Sequence, residues 1–379
     1  MAMIWPQPGA GYVGGMTQLM RSRDRGFRIA VAGCGYWGSK HVRVLHGLDD
    51  VEEVIVVDSC EDRARKLARS YKSASWHTAL APALADADAV VVATPPSTHV
   101  AVALQAIEAG KHVLVEKPLA PTTRDARLLQ TAAAAAGVVL MVGHTFEYNP
   151  AVRKLRELVQ HGELGEVYYI DSARLNLGLY QNDVNVILDL APHDISIINH
   201  VLGRAPVAAQ AWASRHAHRR FEDVAYLRLF YDDFFDDRGL SANIHVSWLD
   251  PCKVRRVTAV GSQKMAVYDD LAVDERIRVL DKGVCLPDGD NLTQPPMSYR
   301  YGDIVVPFIS PDEPLAVQDR HFTDCIATGA RPLTDAENGL AVVAALEAAE
   351  LSRRLGRPVL LEELSTEGRL AELRFAGVS

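Results

Sequence analysis

Short runs of aliphatic and β-branched residues alternate with helical patterns between residues 27 and 143. The strand-like runs are 29–32, 54–57, 89–93, 113–115 and 138–142. The segments with helical periodicity between them are 40–48, 61–71, 99–109 and 123–136. This alternation is typical of a parallel sheet with helices on both faces. It predicts an N-terminal α/β domain over residues 27–148, built on a doubly wound parallel sheet of the Rossmann type.

The pattern changes near Asn149-Pro150, after which one helix is predicted over residues 151–160. The strand-like runs beyond it have few helices between them and are 167–177, 208–214, 225–231, 241–248, 255–260, 265–268 and 276–280. Consecutive strands predict an α+β domain with a large, mostly antiparallel sheet over residues 149–379, closed by a helical segment at 336–354. We expect this domain to bind substrate. Because such sheets cover their apolar faces, we also expect it to form a homo-oligomer, a dimer or tetramer.

Composition and charge narrow the range of partners. The 40 basic and 48 acidic residues give a net charge of −8, so we expect neither nucleic acid nor an anionic membrane as a partner. The apolar stretches are shorter than the roughly 18–20 residues of a membrane-spanning helix. Residues 1–26 lack the basic and apolar regions of a signal peptide and are expected to be a flexible extension.

The five cysteines are widely spaced, without a CxxC pair, and there is no histidine-rich tract. This spacing predicts neither a disulfide framework nor a metal site, and it favours a cytoplasmic location.

Three glycines directly follow the first strand-like run: Gly33, Gly35 and Gly38. In this position a GxGxxG pattern permits a tight turn and a close approach of the backbone to a pyrophosphate at the N-terminus of a helix. The alternative is a tight turn that binds nothing. Tyr36 and Trp37, within the same loop, are predicted cofactor contacts together with the glycines.

Asp58 ends the second strand-like run, where a carboxylate can accept both ribose hydroxyls of NAD. A carboxylate also repels a 2′-phosphate, and the adjacent Ser59, a further predicted contact, supplies no cation to compensate. NAD is therefore favoured over NADP. Arg63 and Arg65 follow closely enough to leave NADP open, although they are also compatible with a solvated helix face.

The segment after the fourth strand-like run lies at the sheet edge where open α/β folds bind ligands. Ser97 and Thr98 in this segment are equally compatible with capping the next helix. The predicted cofactor contacts from this segment are Thr94, Pro95, Pro96 and His99.

A carboxylate and a lysine, Glu116 and Lys117, follow a buried run and precede Pro118. Proline disfavours helical geometry at the preceding residue, so it holds Lys117 extended at the nucleotide edge of the sheet. There an ammonium could polarise a substrate oxygen, although a strand-end lysine is commonly just solvated. Both residues are predicted to contact the cofactor, Glu116 through the ribose or a neighbouring cation.

The cluster Asp189, Pro192, His193 and Asp194 lies in the second domain. Proline favours the first helical position, which predicts a helix that starts at Pro192 with His193 in its first turn. A helix N-terminus disfavours imidazolium, so His193 is expected to be neutral and able to accept a proton. Asp189 could fix its tautomer, whereas Asp194 is interpreted as a favourable first-turn charge.

Neutral polar and aromatic residues flank these motifs and suit a hydroxyl-rich ligand. His144, at the end of the last strand-like run, is predicted to lie in the nicotinamide pocket. The predicted substrate contacts are Lys117, Phe146, Tyr148, Asn176, Tyr180, Gln181, Asn185 and His193.

Taken together, the GxGxxG loop, the Thr94–His99 segment, the Glu116-Lys117-Pro118 motif and the Asp189–His193 cluster resemble the Gfo/Idh/MocA family, named for glucose-fructose oxidoreductase, inositol dehydrogenase and rhizopine catabolism. The resemblance runs from about Phe27 to the C-terminal helices. It implies a catalytic set of Lys117, Asp189 and His193. The Asp189–His193 cluster is similar to that of the members of this family that act on nucleotide-linked sugars in deoxy-sugar, amino-sugar or natural-product biosynthesis.

The expected reaction is hydride transfer between a nicotinamide and a secondary carbinol of a sugar. His193 is the first choice as proton acceptor, and Lys117 would stabilise the developing negative charge on the same oxygen. Two other functions remain open: an NAD-dependent glycosidase that oxidises, eliminates and re-reduces, and a nucleotide-sensing protein without turnover.

Overall fold

The computed structural model describes residues 25–181, 183–232, 239–285 and 298–364. The predicted N-terminal extension lies outside these residues except for its last two positions. The described residues divide into two compact units, one containing residues 25–148 and 312–343, and the other containing those between 149 and 311 together with 344–364. The segment 312–343, predicted as part of the C-terminal domain, therefore packs with the nucleotide-binding unit.

The first unit contains a six-stranded sheet in the order β3-β2-β1-β4-β5-β6. Every strand pair in it is parallel. The strands are β1 Phe27–Ala32, β2 Val51–Val57, β3 Ala74–His77, β4 Ala89–Val92, β5 His112–Glu116 and β6 Leu140–Gly143. The helices are α1 Tyr36–His46, α2 Glu61–Ala68, α3 Leu80–Asp86, α4 His99–Glu108 and α5 Thr123–Ala136. The predicted doubly wound parallel sheet is confirmed, while β3 and α3 are additional elements that the pattern did not reveal.

Burial on both faces of this sheet explains its continuous hydrophobic runs. Ile29 and Val31 belong to one buried cluster, and Ala30 and Ala32 on the opposite face belong to another. Alternate residues of one strand therefore enter two cores, as expected for a sheet covered by helices. Local signals set the helix ends: for α5, the Thr122 side chain accepts a hydrogen bond from the Asp125 amide.

The second unit is built on a nine-stranded sheet in the order β14-β13-β12-β11-β7-β10-β9-β8-β15. The pair β7 and β10 is parallel and the other pairs are antiparallel. Its strands are β7 Val167–Leu177, β8 Ala208–Ser214, β9 Val224–Phe230, β10 Ser241–Ser247, β11 Leu249–Gly261, β12 Met265–Asp269, β13 Ile277–Cys285, β14 Ser298–Val305 and β15 Val359–Leu360. The predicted large, mostly antiparallel sheet is therefore confirmed.

Four further helices are described, and the start of one of them, α7, differs from its prediction. The remaining helices are α6 Pro150–Gln160, α7 Val186–Leu202, α8 Pro314–Thr328 and α9 Ala336–Leu355. Helix α7 begins six positions before Pro192, because the Asn185 side chain caps it by accepting the Leu188 amide at 3.0 Å. The predicted helix start at Pro192 is wrong, since the proline lies in the helix interior. In the described ranges, no helix combines the length and the apolarity that crossing a membrane requires.

Candidate functional site

The glycine loop between β1 and α1 is closely packed. Gly33 has a positive φ of 94°, and a Cβ atom at Gly38 would lie 1.7 Å from the carbonyl oxygen of Gly33. A side chain at either position would therefore force the loop open. A Cβ at Gly35 would meet nothing within 4 Å, so this loop is open at the position that precedes α1. These features fit a backbone cradle for a pyrophosphate at the N-terminus of α1.

The aromatic residues of this loop are accessible. Tyr36 is 72% exposed and Trp37 is 39% exposed, and their rings meet edge to face at 5.5 Å. Both residues lie in the first turn of α1. Their predicted contact with a dinucleotide is compatible with this exposure.

Asp58 follows β2 and already accepts four hydrogen bonds. One carboxylate oxygen accepts the Cys34 amide at 2.8 Å and Arg63 Nε at 3.0 Å. The other accepts the Cys60 amide at 2.8 Å and Arg63 Nη2 at 3.0 Å. Burial by itself would raise the pKa of Asp58, but Arg63 and these amides outweigh burial and lower it. Arg63, interpreted from sequence as a solvated residue, instead pairs with Asp58, and a ribose hydroxyl could bond this carboxylate only if Arg63 moved aside.

The segment after β4 is held in place by His99, whose side chain is buried. Its two ring nitrogens lie 2.8 Å from the Pro118 carbonyl oxygen and 2.9 Å from the Thr94 carbonyl oxygen. Burial lowers the pKa of His99. His99 therefore joins the loops after β4 and β5, and its ring nitrogens have protein partners in place of the predicted cofactor contact. Of the other predicted contacts, Pro95 and Ser59 are exposed, and Thr94 and Pro96 are half-buried.

Glu116, at the end of β5, lies in a buried network that sequence reasoning missed. Its Oε1 atom is 3.0 Å from His41 Nε2, and the other ring nitrogen of His41 is 3.0 Å from an oxygen of Asp319. All three side chains are at most 8% exposed. The predicted contact of Glu116 with the ribose would therefore compete with its bond to His41. The alternative prediction, a contact between Glu116 and a neighbouring cation, agrees with this geometry.

The two carboxylates control the charge of His41. Burial alone would lower its pKa, but the charges and hydrogen bonds of Asp319 and Glu116 outweigh burial and raise the pKa to about 10. Burial would raise the pKa of Glu116, but His41 lowers it. The network therefore contains an imidazolium between carboxylates. Since Glu116 Oε2 also accepts the Lys117 amide at 3.2 Å, the network fixes the backbone at Lys117.

Lys117 is half-buried at the carboxyl end of β5. The peptide bond that follows it, to Pro118, is cis. The lysine lies on the sheet edge at which β1, β2 and β4 also end, because these strands are parallel neighbours. This placement agrees with the ligand-binding edge of an open α/β sheet.

His144 follows β6 and has one ring nitrogen without a protein partner. Its Nδ1 lies 2.6 Å from Asn338 Oδ1, which fixes that nitrogen as a donor because an amide oxygen only accepts. Asn338 in turn donates to Glu147 at 2.9 Å. His144 Nε2 is buried and unpartnered among the described residues. Such an atom can accept a hydrogen bond from a ligand, in agreement with the predicted nicotinamide pocket.

Tyr148 and Phe146 lie in a short 3-10 helix after β6. Tyr148 is fully buried, and its hydroxyl lies 3.0 Å from the Thr334 hydroxyl. Burial raises the pKa of Tyr148. The structure thus gives Tyr148 a packing role in place of the predicted substrate contact, whereas Phe146 is half-buried.

Asp189 and His193 lie one turn apart on α7. Residues four positions apart in a helix lie on the same face, so the two side chains are neighbours on that face. Asp189 accepts a hydrogen bond from Trp248 Nε1 at 3.0 Å, which orients the carboxylate. Both residues are half-buried. The predicted placement of His193 in the first turn of a helix is wrong, because α7 starts at Val186 and His193 lies in its interior.

Asp194 is a structural residue. Its carboxylate accepts hydrogen bonds from Arg174 Nε at 2.7 Å and from Ser172 at 2.7 Å, both on β7. Asp194 is 1% exposed and Arg174 is 6% exposed. This buried ion pair attaches α7 to the sheet, whereas the sequence analysis interpreted Asp194 as a first-turn charge.

The remaining predicted substrate contacts differ in accessibility. Asn185 caps α7, is 6% exposed, and donates to Glu350 at 2.6 Å, so its side chain is fully used within the fold. Asn176 and Tyr180 each contain a buried oxygen without a partner in the described part of the chain. Gln181 is half-buried. Within the described ranges, no group of three or more histidines, cysteines or acidic residues could hold a metal ion.

Two family models match the chain. One, described as an oxidoreductase family with an NAD-binding Rossmann fold, matches residues 27–144. The other, described as the Gfo/Idh/MocA C-terminal domain, matches residues 152–267. The chain belongs to the Gfo/Idh/MocA oxidoreductase family. The predicted family, oxidoreductase class and NAD-binding domain are therefore confirmed.

Relatives of this Gfo/Idh/MocA protein include named dehydrogenases. D-apiose dehydrogenase of Paraburkholderia graminis is 25% identical over 360 residues, which cover 90% of this chain and 91% of the relative. The structure of UDP-N-acetylglucosamine 3-dehydrogenase from Acidithiobacillus ferrooxidans has a TM-score of 0.70 and 26% identity, and the match covers 86% of this chain and 97% of the other. The structure of GenD2 from gentamicin A biosynthesis, in complex with NAD, has a TM-score of 0.73 and 28% identity. That match covers 92% of this chain and 99% of the other.

Proposed function

We propose that this Gfo/Idh/MocA protein is an NAD-dependent dehydrogenase that acts on a secondary carbinol of a nucleotide-linked sugar. The observation that carries the proposal is the placement of Asp189 and His193 on one helix face, with Asp189 oriented by Trp248. A histidine beside an oriented carboxylate is suited to accept the proton of a hydroxyl group. The named dehydrogenases among its relatives support the same class of reaction.

Each proposed residue has a defined role. Bound NAD would supply the hydride acceptor for oxidation of the carbinol carbon. His193 takes the hydroxyl proton as the carbon is oxidised, and Asp189 holds the imidazole in the required tautomer. Lys117 donates a hydrogen bond to the same oxygen and stabilises its negative charge.

The residues of the nucleotide-binding unit fit a dinucleotide. The glycine loop provides backbone amides at the N-terminus of α1 without obstructing side chains. The unpartnered His144 Nε2 provides a buried acceptor. Asp58 would contact the ribose once Arg63 has moved aside, and the exposed guanidinium of Arg63 could then contact the 2′-phosphate of NADP as a second cofactor.

The two other functions considered from sequence receive no support from the relatives, which are named as dehydrogenases. A glycosidase would return its cofactor unchanged and so release sugar without net NADH. A sensing protein would bind nucleotide without turnover.

One assay tests the proposal and separates these outcomes. Reduced-cofactor absorbance is followed with NAD and with NADP against a panel of free and nucleotide-linked sugars. We expect stoichiometric NADH formation with a nucleotide-linked sugar. Sugar release without NADH, or binding without either product, would contradict the proposal.

We further propose that the protein forms a homo-oligomer through the open face of its nine-stranded sheet. Aromatic side chains on neighbouring strands line this face: Trp212 and Tyr226 are 56% and 50% exposed, with ring centroids 6.0 Å apart. His245 stacks on Tyr226 at 4.0 Å. Exposed aromatic rows of this kind are typical of surfaces that bind another protein, here a second copy.

Trp212→Glu is expected to dissociate the oligomer, because it places a charge in this aromatic row and removes one of its exposed rings. Light scattering coupled to size-exclusion chromatography measures the mass. Leu128→Glu is the matched control, since Leu128 is 48% exposed on α5 in the other unit. An unchanged mass for folded Trp212→Glu would overturn the proposed interface.

A further inference from the structure

A cavity of about 450 Å³ opens in the second unit, beside the helix that contains Asp189. It is lined by Tyr180, Ala217, His218, Arg219 and Arg220. Its volume lies within the range of about 300–1,000 Å³ that is usual for small-molecule sites. Tyr180 was the one residue of this cavity predicted from sequence to contact a ligand.

Aromatic rings form one side of the cavity. The rings of Tyr180 and His218 are nearly parallel, with an interplanar angle of 7° and centroids 5.8 Å apart. Tyr180 also packs against Trp248 at 5.4 Å, and His218 stacks on Phe221 at 5.3 Å. Flat, fixed rings of this kind provide surfaces on which a planar base can stack.

The loop that carries His218 is held by internal hydrogen bonds. Asp223 is fully buried and accepts the backbone amides of His216, Ala217 and His218 at 2.6–3.1 Å. His218 Nδ1 lies 3.1 and 2.8 Å from the amides of Arg220 and Phe221, so this nitrogen is an acceptor. The ring orientation is therefore fixed before a ligand binds.

Two guanidinium groups supply positive charge at the same cavity. Arg219 and Arg220 are exposed, and neither forms an ion pair with a carboxylate in the described ranges. Arg220 lies over the Phe221 ring at 5.2 Å, which places its guanidinium beside the aromatic wall. Two acids follow the arginines in this loop: Asp223 is occupied by the backbone amides described above, and Glu222 pairs with Arg353 at 2.9 Å. Adjacent arginines without acidic partners suit an anion, and their planar donor sets match phosphate oxygens.

Tyr180 provides a further polar atom. Its hydroxyl oxygen is buried and has no hydrogen-bond partner among the described residues. Burial and the charge of Asp223 raise the pKa of Tyr180, so the hydroxyl keeps its proton and can donate. A buried hydroxyl without a partner is costly unless a ligand or water satisfies it.

The cavity is connected to the proposed catalytic face of α7 by a chain of side-chain contacts through Trp248. Tyr180 contacts the Trp248 ring, and Trp248 Nε1 donates to Asp189 at 3.0 Å. Two side chains, Tyr180 and Trp248, would therefore connect a ligand stacked in the cavity to the carboxylate that is proposed to orient His193.

We propose that the cavity lined by Tyr180, His218, Arg219 and Arg220 binds the nucleoside diphosphate of the substrate, with the base against the rings and the diphosphate at the arginines. The inference rests on the proposed function, since it assigns the part of the substrate that does not react. A flat ring system joined to two phosphates uses both the stacking surface and the paired cations, whereas a free sugar uses neither.

The test combines binding and kinetics. Calorimetry measures the affinity of uridine diphosphate and of inorganic pyrophosphate for the full chain with saturating NAD, so that the dinucleotide site is filled. We expect uridine diphosphate to bind more tightly than pyrophosphate. The double variant Arg219→Gln/Arg220→Gln is expected to weaken uridine diphosphate about 10- to 100-fold, because it removes two charge-assisted contacts.

Tyr180→Leu is expected to weaken uridine diphosphate about tenfold and to leave pyrophosphate binding unchanged, because it removes only the stacking surface. Arg354→Gln is the matched control, since Arg354 is exposed on α9, remote in sequence from the cavity. With a nucleotide-linked sugar, the arginine variants should raise KM with little change in kcat, as for a contact made equally in the ground and transition states.

Equal affinities for pyrophosphate and uridine diphosphate, or unchanged affinity in the folded double variant, would overturn this proposal. A failure of the proposed function is distinguishable. If free sugars are oxidised and uridine diphosphate does not bind, the dehydrogenase activity is supported and the proposed nucleotide subsite is wrong. If uridine diphosphate binds and the variants change its affinity as expected, but no NADH forms, the nucleotide subsite is supported and the proposed dehydrogenase activity is wrong.

Discussion

Replacing His193 with alanine is expected to lower kcat by about 10²- to 10⁴-fold, the usual contribution of a positioned general base. The imidazole lies one turn from Asp189, which Trp248 orients. The binding of NAD should change little, because the glycine loop belongs to the other unit. Stopped-flow measurement of NADH formation under single-turnover conditions reports the chemical step directly.

His161→Ala is the matched control, since His161 is exposed at the end of α6. Thermal unfolding of both variants should resemble that of the wild type. A folded His193→Ala variant that keeps nearly normal kcat would show that another group accepts the proton, and the proposed mechanism would be wrong.

Replacing His41 with glutamine is expected to reduce the free energy of unfolding by about 3–5 kcal/mol, the usual cost of removing one partner of a buried ion pair. Glu116 and Asp319 would remain buried without the cation that bridges them. Denaturant unfolding at neutral pH measures the loss. His46→Gln is the matched control, because His46 lies on the same helix and is only half-buried.

The pH dependence of stability gives a second readout of this network. The pKa of His41 is raised from 6.5 to about 10 on folding. A raised pKa stabilises the folded state fully below the unfolded value, and this contribution is lost as pH rises through the folded value. We therefore expect the wild type to lose stability between about pH 6.5 and 10 and His41→Gln to show a flatter profile. Parallel profiles for the two proteins would contradict a charged His41.

The nucleotide-binding sheet could be predicted from sequence because its signals are local. Each buried strand is a continuous aliphatic run, and Gly33, Gly35 and Gly38 lie at fixed offsets from the first of these runs. Three strands were missed: β3 and β15 are short, with four and two residues and incomplete burial, and β14 is exposed along nearly all of its length. Their pairing depends on neighbouring strands more than on their own composition.

The start of α7 illustrates a competition between local signals. Pro192 favours a first helical position, but Asn185 is a better starting signal because its side chain satisfies the Leu188 amide. The interior proline forfeits one backbone hydrogen bond, and burial of the apolar face of the helix offsets this loss. The earlier start changes the environment of His193, although its identity and its spacing from Asp189 are unchanged.

The sequence by itself determined the two-sheet architecture, the family and the positions of Lys117, Asp189 and His193. The tertiary structure decided what surrounds them. It placed Asp319 against His41, 278 positions away, and Asn338 against His144, 194 positions away. It also gathered Tyr180, His218 and the arginine pair around one cavity. The physical reason is that strand runs and glycine turns depend on neighbouring residues, whereas buried polar partners are chosen by packing between distant segments.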